Sequence, residues 1–455
     1  MSGILNVRDF DLVNLNLLTS TGSIDLRFIM VELSYHEDLF NSVVSGYVMV
    51  SESQGYAELL SLTGNEFLHL TFNKGKDSTR QIDRYLRVYK LDKRKLAENM
   101  STESYTLQFC SEELLLSEQY KVSKAYNNVR IDTIVQDICT MQPGLNIQTS
   151  RLLQDNILKT YGTYNLIVPN LKPFDAINWL CTYALPGPNI PGADMVFFEN
   201  KNGFNFNSLQ NMMDGPQSTL YNTYTYTPKN LYDLTNPDIV QELTNVLTYE
   251  IMNSYDAISG INSGIFANQL LSVDVLTRTK KVTKFDYVKY KETALSLNSN
   301  KITNDYSNRN GDMLNETSQA VLKLAFTNFD EHNMEVVQNI SVEGMATLSP
   351  NINAETYIPW RTAQLSLNNY TRVKISVPGD PNITVGSVIY YKMLSNTPGE
   401  KSINVYYSGF YLVTAVRHIL TPNEYRTIME IAKESNVGKY ANSPKAWAEW
   451  STAIK

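Results

Sequence analysis

Residues 25–72 carry short strands that are apolar on both faces. Leu26, Phe28 and Met30 alternate with Arg27, Ile29 and Val31. After Gly46, the Tyr47/Met49 row and the Val48/Val50 row are both apolar. Successive side chains of a strand point to opposite faces, so a strand of this kind must be covered on both sides. One face belongs to a core, and the other needs an occupant. Gly64-Asn65 marks a turn before a further strand over Phe67 to Phe72. The spacing predicts half of a β-barrel whose outer face is used for assembly.

A second copy is expected near the other end of the chain. Residues 85–113 (YLRVYKLDKRKLAENMSTESYTLQFCSEE) share a layout with 409–435 (GFYLVTAVRHILTPNEYRTIMEIAKES). Each reads as a long strand, a polar tip, a Tyr-led strand and an acidic close. GNEFLHLTF (64–72) likewise resembles VGSVIYYKM (385–393). In detail, NKGKDSTR (73–80) reads as a solvated loop, Tyr85 to Leu91 as a strand, and Asp92 to Ser104 as charged and turn-like. Tyr105 to Cys110 reads as a strand with Tyr105, Leu107 and Phe109 on one face. The period-two pattern returns from Trp360, with Val373, Ile375 and Val377 on one face of 371–377 and a turn at PGDPNITVG (378–386).

Between these ends the period changes. Ile131, Ile134, Val135 and Ile138 fall at helical spacing, and the pattern stops before Pro143-Gly144. Pro173 suits the first turn of a second helix, with Phe174, Ile177, Cys181 and Ala184 as its buried stripe. MVFFEN (195–200) and FNFNSL (204–209) read as a hairpin turning at Asn202-Gly203. Further on, Asn236-Pro237 predicts a capped helix start, Leu247 to Met252 a strand, and SGINSG (259–264) a turn-rich joint. GIFANQLLSVDVL and KVTKFDYVKY predict paired strands. Lys301 to Asn315 reads as a loop, and Val321, Leu322, Ala325 and Phe329 as a weak helical stripe. The fold class is mixed α+β and β-rich, with two antiparallel β-barrel domains flanking an inserted α+β region. The expected divisions are 1–118, 119–213, 214–360, 361–435 and a tail at 436–455.

Composition narrows the function. The 455 residues carry a formal net charge of −7, which speaks against a nucleic-acid grip needing a basic face. The 29 tyrosines suit surfaces buried on assembly, and equally suit an ordinary β-rich core. Cys110, Cys139 and Cys181 sit in apolar settings, an odd set that predicts reduced core thiols in a protein made in a cytoplasm. No signal peptide or membrane span is expected. His36, His69, His332 and His418 are scattered without metal-ligand spacing, and His69 and His418 read as structural strand residues. Neither a phosphate loop nor a nucleophile elbow is present. The adjacent pairs Glu37-Asp38, Glu112-Glu113 and Asp330-Glu331 are poor acid/base pairs, because neighbours on a strand face opposite ways. The expectation is no catalytic residues, no cofactor and no metal. The tail holds Tyr440, Trp447 and Trp450, the two tryptophans on one side of a short helix begun at Ser443-Pro444. These three are the candidate partner-docking residues.

Several of these stretches resemble the central baseplate hub proteins of contractile-tailed, T-even-like bacteriophages, which are similar to the hub half of type VI secretion spike proteins. The likeness rests on VELSYHEDLFNSVVSGYVMVSES with LTGNEFLHLTF, on LKPFDAINWLCTYA with FFENKNGFNFNSL, on SGIFANQLLSVDVL with FDYVKY, and on ISVPGDPNITVGSVI with GFYLVTAVRHIL and YRTIMEI. It covers about residues 25–435, and the order of the stretches is more specific than any one of them. The resemblance implies two tube-like barrels per chain and a homotrimer, hence a pseudo-sixfold ring in the virion. It implies a tail tube or tube-initiator protein on one side and a central spike protein on the other. Baseplate wedge proteins would surround the ring, and its channel would pass tape measure protein and DNA. It implies neither sequence-specific nucleic-acid binding nor an enzyme. Two alternatives stay open: a tube adaptor or terminator with sixfold assembly, and a tail-associated cell-wall-degrading enzyme. The type VI relatives continue into a spike, whereas this sequence stops at Lys455, so the spike is expected to be a separate protein.

Overall fold

The structure is a computed structural model. It describes residues 10–20, 22–59, 62–75, 77–96, 102–147, 151, 156–187, 193–214, 222–227, 242–254, 256–274, 278–287, 294–301, 322–326, 354–394 and 403–437. The first half runs β1 (Asp11–Leu18), β2 (Ser23–Asp25), β3 (Met30–Asp38), β4 (Ser45–Glu52), β5 (Phe67–Lys74), β6 (Asp77–Leu96) and β7 (Glu103–Cys110). A middle unit follows with β8 (Ala125–Val129), β9 (Tyr164–Ile167), β10 (Met195–Asn200) and β11 (Gly203–Ser208). Next come β12 (Thr223–Tyr226), β13 (Thr248–Asn253), β14 (Ala267–Asp274), β15 (Thr279–Asp286), β16 (Asn300–Lys301) and β17 (Leu322–Phe326). The second half closes with β18 (Thr371–Pro378), β19 (Val388–Met393), β20 (Gly409–Thr421), β21 (Glu424–Lys433) and β22 (Ser435–Asn436). The mixed, β-rich class expected from the sequence holds.

Both halves lie in one 13-stranded sheet. Its path is β13-β18-β21-β20-β3-β4-β7-β6-β5-β1-β2, with β19 on β20 and β12 on β19. The halves repeat one pairing scheme. β3-β4-β7-β6-β5 in the first matches β13-β18-β21-β20-β19 in the second, and every one of these ladders is antiparallel. The match extends to irregularities. The β6–β7 register shifts between Val88 and Lys90, and the β20–β21 register shifts between Val413 and Ala415, each after the second pair of its ladder. Such bulges re-aim a strand and are specific features of a sheet. In each half the residue before that shift donates its N–H to the loop ahead of the neighbouring strand: Val88 to Glu66 O and Val413 to Ser387 O, both at 2.9 Å. Each of those loops turns on a left-handed glycine, Gly64 at φ 85° and Gly386 at φ 80°.

The three largest cores among the described residues sit in the two halves and the middle unit. Leu33, Tyr35, Val48, Val50, Leu70, Phe72, Leu107 and Phe109 are fully buried in the first half. Val373, Ile375, Val377, Tyr391, Tyr411 and Met429 play that part in the second. In the middle unit the helices Ile131–Thr140 and Pro173–Cys181 lay Ile134, Val135, Ile138, Ile177 and Leu180 over Phe197, Phe204 and Phe206. The predicted helical stripes are thus the buried ones. Tyr35, Tyr105, Tyr391, Tyr411 and Tyr425 are among the largest fully buried side chains, so much of the tyrosine content serves cores.

Several local expectations are corrected. Leu26–Phe28 is a 3₁₀ turn, not a strand, because Asp25 accepts from Arg27 N at 3.0 Å and diverts the backbone; Phe28 is left 86% exposed. The segment 73–80 is no solvated loop: Asn73 and Lys74 end β5, β6 begins at Asp77, and Lys74 is buried, with its ammonium 6.0 Å from the Tyr425 ring centroid. β6 runs on to Leu96, beyond the turn expected from Asp92, because β7 supplies a partner for it. The β10–β11 turn is Lys201-Asn202, with Gly203 already paired to Asn200. SGINSG lies in a helix, Ala257–Ser263, capped by Asp256, which accepts from Ser259 N at 2.9 Å, and ended by left-handed Gly264. Leu322–Phe326 is strand rather than helix, since parallel pairing with β14 outweighs a weak stripe. Trp360 does not begin a strand; the helix Ala354–Leu367 continues past it and buries Ala363 and Leu367 against Phe266 and Phe285. The expected Asn236-Pro237 helix start and nearly all of the 301–315 loop lie outside the described residues.

Candidate assembly interface

The joint between the halves is where chemistry concentrates. β3 pairs with β20 from Leu33–Leu420 to Asp38–Ala415, an uninterrupted ladder between segments nearly four hundred residues apart in sequence. On one face of it Arg417 reaches across. Its Nε donates to Ser34 Oγ at 2.8 Å and its Nη2 to Tyr47 OH at 2.8 Å, with Glu32 Oε1 at 3.5 Å. Tyr47 in turn donates to Glu32 Oε1 at 2.5 Å. Burial and the nearby Arg417 charge push the His36 imidazole down to about 4. His36 is therefore neutral at physiological pH, and its Nε2 accepts from Ser34 Oγ at 2.7 Å. Each hydroxyl accepts from Arg417 and passes its own proton onward, so the seam is a satisfied chain.

The opposite face of β3 carries Glu37, which is 1% exposed. It accepts from Thr384 Oγ1 at 2.6 Å and from Val385 N at 3.2 Å, both in the loop between β18 and β19. Burial raises the Glu37 carboxyl to about 7, against the pull of the Thr384 hydrogen bond. Close by, His418 is held neutral by burial and the Lys201 charge, down to about 3, and its Nδ1 accepts from Tyr425 OH at 2.8 Å. The expectation that His418 is a hydrogen-bonded structural residue is met.

A third set ties the middle unit to the first half. Glu199, at the end of the β10 apolar run, is fully buried and pairs with both Arg84 of β6 and Arg151. It also accepts from Ser111 Oγ at 2.5 Å and from Val44 N at 2.9 Å. Burial works against the charge on Arg84, yet the surrounding carboxylate holds it above its ordinary value. A doubly paired, hydrogen-bonded carboxylate meets the conditions under which a buried ion pair is tolerated.

The remaining chemistry-bearing residues are dispersed. Burial pushes the Cys110 and Cys181 thiols up to about 12, and Cys139 is likewise buried and free. Glu37 points inward and Asp38 outward; Glu112 and Glu113 open the helix Glu112–Gln119 rather than lying on a strand, with Glu113 buried on Arg151 and Glu112 half-buried beside Arg87. Asp330-Glu331 lies outside the described residues, as do the predicted docking residues Tyr440, Trp447 and Trp450. Among the described residues no group of three or more His, Cys, Asp or Glu could hold a metal ion, and no helix is long and apolar enough to cross a membrane. Sequence reading passed over Arg417 and Glu199, and weighed Glu37 only as half of a poor acid/base pair. Arg417 and Glu199 share a visible signal, a lone charge set in a largely apolar strand.

A solved tail protein has the same fold as this two-half sheet. The tail protein of Neisseria meningitidis MC58 shares it with a TM-score of 0.50, 7% identity, and coverage of 92% of this chain and 96% of that one. The resemblance to phage baseplate hub proteins is also found in sequence. The probable baseplate hub protein gp334 of Vibrio phage KVP40 is 23% identical over 420 residues, 90% of each chain. A type VI secretion component, the c3393 protein of E. coli, aligns with a TM-score of 0.42 and 9% identity over 94% of this chain and 77% of that one. No family model matches the chain.

Proposed function

We propose that the chain is a structural hub of a contractile-tail baseplate, located in the virion. Three copies, each contributing two equivalent sheet halves, form a pseudo-sixfold ring. That ring joins a sixfold tail tube to a threefold central spike and leaves a channel for tape measure protein and DNA. The observation that carries this reading is the repeated pairing scheme of the two halves joined edge to edge by β3 and β20. A duplicated unit lets one polypeptide present sixfold contacts on one side and threefold contacts on the other. The relative gp334, named a probable baseplate hub protein, supports the same assignment. The net charge of −7 suits a passage through which DNA slides without being gripped. Tyr440, Trp447 and Trp450 are proposed to anchor the tail on a neighbour or partner.

Light scattering on the purified chain, alone and with spike protein, tests this reading. A threefold complex is expected. A chain that stays monomeric and binds neither spike nor tube protein overturns it, six copies per ring favour an adaptor or terminator, and clearing of host cell wall in a zymogram favours an enzyme.

A further inference from the structure

We propose that strand β15 is a docking edge for an extended acidic segment of another polypeptide, which adds to it as a further strand. The proposal stands on the inserted region alone and does not depend on the ring reading. In a chain of net charge −7, Arg278, Lys280, Lys281 and Lys284 gather within 278–284 with no carboxylate among them. All four are exposed. Among the described residues none of the four enters an ion pair. β15 ends the sheet path β15-β14-β17, so among the described residues no strand lies on its outer edge. The backbone N–H and C=O groups along such an edge recruit an extended chain.

The register says what that segment must look like. Val273 pairs with Lys280, Leu271 with Val282 and Gln269 with Lys284. Alternation puts these residues on one face of the sheet. The opposite face is the covered one: Asn268, Leu270 and Ser272 are fully buried, and the Phe285 ring lies 6.0 Å from that of Trp360. On the outer face Leu271 and Val273 are half-buried and Val282 is 52% exposed. That face holds an apolar centre at Val282 between the ammonium groups of Lys280 and Lys284, whose backbones are roughly 13 Å apart along the strand. A strand laid against β15 meets them with residues four apart. It needs a carboxylate opposite each lysine and an apolar side chain opposite Val282. Lysines on an edge also discourage pairing between like strands. Here the same charge selects an acidic strand over a second copy of β15. A nucleic acid fits this surface less well, because the described outer face of β14 and β15 offers no aromatic ring for bases to stack on. A lipid headgroup makes no use of the backbone edge.

The probe is a dye-labelled synthetic peptide with glutamates four apart about a central valine, offered to the full-length chain at low salt. A second peptide carries lysines in place of the glutamates. Fluorescence anisotropy should show binding of the acidic peptide alone, weakening as salt is added. Lys280→Glu/Lys284→Glu should weaken that binding at least tenfold and gain affinity for the lysine peptide. Both side chains are exposed, so the variant keeps the fold, and its light scattering should match that of the natural chain. Amide hydrogen exchange over 279–284 should slow when the acidic peptide binds. Failure to bind, equal binding to the natural chain and the double variant, or binding that leaves β15 exchange unchanged overturns the strand addition and leaves the ring reading standing. Tighter binding of single-stranded DNA or of phosphatidylserine vesicles than of the acidic peptide overturns the choice of a polypeptide.

Discussion

The carboxylate of Glu37 accepts a 2.6 Å hydrogen bond from the hydroxyl of Thr384, 347 residues further along the chain. This contact couples the two halves to pH. Burial moves Glu37 from 4.5 to about 7. Between those values the folded chain holds a proton that the unfolded chain has released, so stability falls as pH rises through that window and levels off above it. The loss attributable to Glu37 is at most about 3 kcal/mol. Glu37→Gln should match the natural chain below pH ~4.5 and exceed it by up to that amount at pH ~8. Urea unfolding across this range checks it; parallel curves for the two proteins would contradict the assignment.

Arg417 holds the other face of the same joint. Arg417→Ala removes two hydrogen bonds to Ser34 and Tyr47 and leaves Glu32 with one fewer cation nearby. The expected loss is about 1–2 kcal/mol in urea unfolding. Arg417→Lys should recover little, because an ammonium cannot serve two hydroxyls with a planar fork. Full recovery by lysine would show that charge alone matters there.

Glu199 is the stricter case. Glu199→Gln leaves Arg84 and Arg151 facing each other with Glu113 as the nearest remaining carboxylate. Breaking a buried pair from one side typically costs about 3–5 kcal/mol. Hydrogen exchange should show the β10–β11 hairpin losing protection first. A loss below about 1 kcal/mol would mean that water reaches the site.

Gly46 of β4 has no room for a side chain. A Cβ there would sit 2.1 Å from Ser34 O and 2.5 Å from the Phe109 ring. Gly46→Ala should therefore cost about 1–3 kcal/mol by overpacking, read as a lower melting temperature. An unchanged melting temperature would place β3 farther from β4.

Much of this fold was legible because its signals are local and periodic. Ile131 to Ile138 and Val373 to Val377 bury the faces their spacing predicts, and the likeness of 85–113 to 409–435 appears as matching hairpins that share one bulge, while β6 carries a second between Asp92 and Lys95. What was not legible depends on partners distant in sequence. Leu322 to Phe326 became strand only because β14 lies beside it, and β6 continued past Asp92 only because β7 paired with it. The SGINSG helix was hidden by its small residues, though its cap, Asp256, stood just outside that window. The joint itself was invisible for the same reason. Nothing near Glu37 or Arg417 in sequence names Thr384 or Ser34 as the partner.

The central claim is that two equivalent halves per chain build a ring with twice as many units as chains. Electron cryo-microscopy of the assembled protein measures this directly. The account predicts a closed ring of three chains showing six similar sheet lobes. A ring of six chains, or a particle with a single copy, would contradict it.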